Sequence, residues 1–183
     1  MRYIFLFFLL SACLGSNSSG FLNPGDWSPV GEATWRYAGK QIVGTVTGGQ
    51  EGAFMSRRTY DDFELTLEFK PDSTVNSGIF LRCTERAIDP QTCYEFNIWD
   101  NNPNPTYRTG GVVLRAEPLA HVETIGHWNT YRLRLQGDRL QAWVNGTMVA
   151  NLRDRKIAEG YVGLQASGEG TVRFRGVRVR GIE

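Results

Sequence analysis

From Asp62 to Lys70 the chain reads DFELTLEFK, a strict alternation that puts Phe63, Leu65, Leu67 and Phe69 on one side. Period two fits a strand packed on one face and wet on the other, and does not fit a helix of period 3.6. Such a strand belongs in an antiparallel sheet whose inner face meets a second sheet. The rest of the chain repeats the theme. Residues 35–45 read as a hairpin through Ala38-Gly39-Lys40, and residues 128–135 and 140–144 as another through Gln136-Gly137-Asp138-Arg139. Asn145-Gly146 turns into residues 147–150, and residues 161–165 and 172–179 are further strands. Residues 153–159 (RDRKIAE) read as a helical turn, but no stretch makes a convincing amphipathic helix. The pattern predicts a single all-β, antiparallel β-sandwich.

Near the C-terminus the alternation slips. Val172 and Phe174 share one parity, Val177 and Val179 the other, with Gly176 at the slip. A β-bulge there returns all four to the inner face and turns Arg173, Arg175, Arg178 and Arg180 to solvent. The basic stripe is then the wet side of a structural strand. Trp128 and Trp143 are read as core or edge packing.

The N-terminus carries an address. Met1-Arg2-Tyr3 and the apolar run 4–10 precede Leu10-Ser11-Ala12-Cys13, which resembles a bacterial lipobox. Residues 1–12 are read as a lipoprotein signal peptide, Cys13 as the lipidated residue, residues 13–29 as anchor and tether, and 30–183 as the domain. The apolar run is too short to span a bilayer, so membrane attachment goes through the lipid. No Asp follows Cys13, which favours the outer membrane of the cell envelope. The formal net charge is +1, and Arg2 in the leader supplies the excess. A mature charge near zero argues against nucleic acid or an acidic polymer as ligand.

Function is read from residues 76–82 (NSGIFLR) and 94–100 (YEFNIWD). In the second run Tyr94, Phe96 and Ile98 point one way, and Glu95, Asn97 and Trp99 the other. A carboxylate, an amide and an indole, with Arg82 nearby, make poor core. They suit a saccharide, whose hydroxyls bond amide and carboxylate and whose ring stacks on indole. Cys83 and Cys93 remain once Cys13 is committed to lipid. In an exported protein they are expected to pair, although strict alternation puts them on opposite faces unless a bulge intervenes. Two free thiols or a metal pair are the alternatives, with only His121 and His127 available as further ligands.

The order NSGIFLR, YEFNIWD, TGG, HWNTYRL, VNG, GLQ and VRFRGVRV resembles the bacterial 3-keto-disaccharide hydrolase domain family. The resemblance implies a concanavalin- or laminin-G-like jelly-roll sandwich acting on glycosides already oxidised to a ketone at C3. The ketone acidifies the C2 proton, a base removes it, the aglycone leaves C1 by β-elimination, and water adds back. On that reading Glu95 is the base, and Asp100 is a second candidate base or a ligand for a divalent cation. Arg82 holds substrate oxygens or an enediolate charge. Asn76, Asn97 and Gln165 position hydroxyls, and Trp99 stacks beneath a ring. The family's histidine after GLQ is missing here, with Ser167 nearest its place, and Asn97 stands where glutamine is usual. These departures leave open a non-catalytic carbohydrate-binding lipoprotein of the same fold.

Overall fold

The computed structural model describes residues 24–182; the leader, Cys13 and residues 14–23 lie outside them. Ten strands follow: β1 (Trp27–Gly31), β2 (Thr34–Ala38), β3 (Gln41–Ser56), β4 (Phe63–Pro71), β5 (Val75–Cys83), β6 (Tyr94–Ile98), β7 (Asn129–Gln136), β8 (Arg139–Val144), β9 (Thr147–Arg153) and β10 (Tyr161–Gly181). β1 begins inside the stretch read as tether, because Trp27 is buried and stacks with its centroid 6.3 Å from Phe54.

The two longest strands, β3 and β10, pair antiparallel and form a spine shared by both layers of the sandwich. The second half of β3 and first half of β10 lie in one layer with β1, β5 and β6. Their other halves lie in a larger layer with β2, β4, β7, β8 and β9. The change of layer falls where Gly48, Gly49, Gly168 and Gly170 take φ of +63°, +81°, +83° and +112°, values that L side chains resist. Phe54, Ile79, Phe96 and Leu164 from one layer meet Leu65, Phe69, Tyr131 and Phe174 from the other in a common core.

The alternation of Asp62–Lys70 is realised in β4, whose burial runs buried, half-buried, buried along its length. Gly176 has φ +61° and the β10–β4 register shifts between Arg175 and Arg178, so Val172, Phe174 and Val177 all reach the core. Residues 161–165 and 172–179 belong to one 21-residue strand. No helical turn forms over 153–159. Asp154 instead accepts from the Tyr94 hydroxyl at 3.0 Å, Lys156 N at 2.7 Å and Arg115 Nε at 3.2 Å, which holds this segment as a loop.

One irregularity decides the geometry around the site. Tyr161 pairs with Cys83 but Gly163 pairs with Phe80, so β5 carries an extra residue. Arg82 absorbs it at φ 51°. The bulge moves Cys83 onto the outer face beside Phe80 and Cys93, where the two cysteines form a disulfide.

Candidate functional site

The outer face of the smaller layer carries a buried polar cluster. On β6, Tyr94, Phe96 and Ile98 enter the core, so Glu95 and Asn97 face outward. They stand opposite Phe80 and Gly78 of β5. On β10, Leu164 and Ala166 enter the core and Gln165 and Ser167 face outward, with Ser167 opposite Asn76 on one side and Glu51 on the other. Four strands thus bring Glu51, Asn76, Glu95, Asn97 and Gln165 to one surface.

Gly78 leaves the room for them to meet. A Cβ there would stand 3.1 Å from Gln165 Oε1 and 3.2 Å from Glu95 Oε1, so both side chains lean over its bare backbone. Gln165 Nε2 donates to Glu51 Oε1 at 2.8 Å, and Asn97 Nδ2 donates to the Tyr107 carbonyl. Each amide is oriented by its nitrogen, and its oxygen is left over. Gln165 Oε1, Asn97 Oδ1 and Asn76 Oδ1 are all buried without a hydrogen-bond partner. Unpartnered buried polar atoms are rare and costly, and three on one face call for a ligand that donates. Glu95 is only 6% exposed. Burial, and secondarily the nearby Glu51 charge, push its carboxyl up to about 7.

Two residues expected here are elsewhere. Arg82 does not share the face with Glu95, because the bulge turns it away. Its guanidinium donates to the carbonyls of Asp61, Gly137 and Ile157 at 2.8, 2.9 and 3.2 Å, and to Asp62 Oδ1 at 2.9 Å. It ties loops together. Asp100 is likewise committed: its oxygens accept from Thr109 Oγ1, Thr124 N and Oγ1, and Ile125 N. A carboxylate with so many donors orders the loop after β6, its oxygens already occupied. Trp99 is half-buried just past β6, its backbone N–H held by Thr109 Oγ1 at 2.9 Å.

Glu51 is the site residue the sequence does not announce. It sits in a glycine-rich stretch with no alternation to read, and it reaches Gln165 only through a pairing 114 residues apart. The divalent cation implied by the resemblance finds no ligand set: no three His, Cys, Asp or Glu among the described residues are grouped to hold a metal ion. The face offers two carboxylates and three amide oxygens.

No curated protein matches the chain in sequence. Among solved structures, a candidate glycosyl hydrolase from Parabacteroides distasonis superposes with TM-score 0.73 at 20% identity, covering 85% of this chain and 99% of its own. The carbohydrate-binding module CBM66 from Bacillus subtilis gives TM-score 0.64 at 17% identity, over 90% and 98%. A β-glucanase from Bacillus licheniformis gives 0.63 at 12%, over 88% and 94%. These likenesses establish the sandwich fold. The family match is in sequence, spans residues 15–180 and brings with it a sugar-related role: the chain belongs to the 3-keto-alpha-glucoside-1,2-lyase-like domain family.

Proposed function

We propose that the chain cleaves 3-keto-glycosides at the Glu95 face and is held at the outer membrane by a lipid on Cys13. The observation that carries the catalytic reading is a carboxyl group pushed up to about 7 among three buried amide oxygens without partners. A cluster of acceptors matches the hydroxyl donors of a sugar. As the carboxylate, Glu95 takes the C2 proton of the 3-keto sugar. The C–H electron pair forms the C1–C2 double bond while the C1–O bond breaks and the aglycone oxygen leaves with its pair. The proton now on Glu95 is available to that oxygen, and water adding to C1 completes the hydrolysis. A group that titrates near neutrality serves as both base and acid. Gln165, Asn97 and Asn76 hold the sugar's hydroxyls.

Aglycone release from a chromogenic 3-keto-glucoside tests this. Glu95→Gln is expected to lower kcat/KM by about 10²-fold or more, and wild-type kcat/KM to rise with pH through about 7. Wild-type turnover that survives Glu95→Gln unchanged removes Glu95 from the mechanism. One observation favours the second reading, a non-catalytic saccharide binder: with Arg82 turned away, the arginine expected to hold substrate oxygens or an enediolate charge is missing from this face. A binder predicts saccharide affinity without release, weakened by Gln165→Ala.

A further inference from the structure

The formal net charge of +1 averages over unlike surfaces. On the outer face of the larger layer, the register sets Arg178, Thr66, Arg132 and Trp143 in one row across β10, β4, β7 and β8. Arg175, Glu68 and Thr130 form the next row, and beyond it Arg173 stands directly opposite Lys70. Like charges directly opposite destabilise a ladder, so the face is more basic than folding requires. Its acids are already shared. Glu68 binds Arg175 through both oxygens at 2.9 and 2.8 Å, and Glu64 lies 3.8 Å from each of Arg132 and Arg180. Arg178, more than a third exposed, has no acidic partner among the described residues.

Between the two rows runs an open groove of about 600 Å³. The bulge makes room for it, since a Cβ on Gly176 would meet nothing nearer than Glu68 Oε2 at 3.9 Å. The Arg132 guanidinium lies 3.8 Å over the Trp143 ring, which holds it flat, with Glu64 only at the 3.8 Å edge of ion-pair range. Arg175 is held the same way, 4.0 Å over Trp128. Both tryptophans are therefore platforms for arginines on the outer face. Planar, pre-positioned guanidinium groups match carboxylates in a fork geometry, and Thr66 and Thr130 line the same groove.

We propose that this groove is a second saccharide site, selective for an acidic sugar, with a carboxylate held by Arg132 and Arg178 and ring hydroxyls by Thr66 and Thr130. It lies on the opposite outer face from Glu95 and does not depend on the chemistry proposed there. Titration of the detergent-solubilised full-length chain with trigalacturonate, against maltotriose as the neutral control, tests it. Expected is saturable trigalacturonate binding that weakens about tenfold or more in Arg132→Gln/Arg178→Gln, weakens as salt rises, and is unaltered in Glu95→Gln. Equal affinity for maltotriose that falls alike in the double variant, or trigalacturonate binding unchanged in that variant, overturns the proposal. So does binding to phosphatidylglycerol vesicles with none to trigalacturonate, which would make the face a membrane-docking surface. Thermal unfolding of the double variant confirms that a lost signal is not lost folding.

Discussion

Single residues here have roles that their chemistry alone does not reveal. Arg82 is 1% exposed, and its charge is compensated by Asp62 and three carbonyls. The Asp62 side chain is 35% exposed, so removing the guanidinium chiefly leaves the three carbonyls without a donor. Arg82→Ala is expected to lower stability by about 2–3 kcal/mol in a urea titration; a stable variant with an isolated activity defect would return Arg82 to the site. Glu95 makes the opposite prediction, in pH rather than contacts. Its folded pKa of about 7 lies above the ordinary 4.5, so between those values the native state binds the proton that the unfolded chain has lost. Stability therefore falls as pH rises through this window, by up to about 3 kcal/mol at 1.36 kcal/mol per unit. Glu95→Gln should abolish that slope and be the more stable protein at pH 8, as denaturant titrations at several pH values would show. Why Tyr131, buried with no partner for its hydroxyl, is not phenylalanine has no structural explanation.

Among elements, the β5–β6 pair depends most on an irregularity. With the bulge at Arg82, the disulfide closes a loop over one end of the outer face, where Met55, Phe80 and Ala53 pack against it. Gly160 must stay bare, because a Cβ there would overlap the backbone of Arg82 and Cys83. A bridge spanning ten residues contributes about 2–3 kcal/mol by limiting the unfolded chain. Cys83→Ser/Cys93→Ser is expected to lose about that much in denaturant titration, and reductant should shift wild type to the same midpoint. What the sequence made legible follows from this contrast. Alternation revealed β4, β7 and the outward parity of Glu95 and Asn97, and a change of parity revealed the bulge at Gly176. At Arg82 no parity change is visible, because the apolar run Ile79-Phe80-Leu81 fills both faces of β5. β1 escaped notice because its five residues include a proline and a glycine. Glu51 escaped because long-range pairing, not local pattern, brings it to Gln165.

At the scale of the whole molecule, two opposite outer surfaces carry the proposed chemistry, and the proposed lipid would fix the end from which they are presented. Fatty-acid labelling in the native host should mark the wild-type chain and leave Cys13→Ser unlabelled; equal labelling of both would place any lipid elsewhere. The spine of β3 and β10 links everything else. Gln165 of the Glu95 cluster and Arg178 of the groove sit on the same strand, and both layers share that strand's hydrogen bonds. Opening either layer breaks hydrogen bonds of strands that the other layer also uses, which couples the two in unfolding. Whatever binds one surface and not the unfolded chain steadies the other by mass action. A sugar held among the arginines should thus slow amide exchange around Gln165 without touching it, so that each surface reports on its opposite's guest.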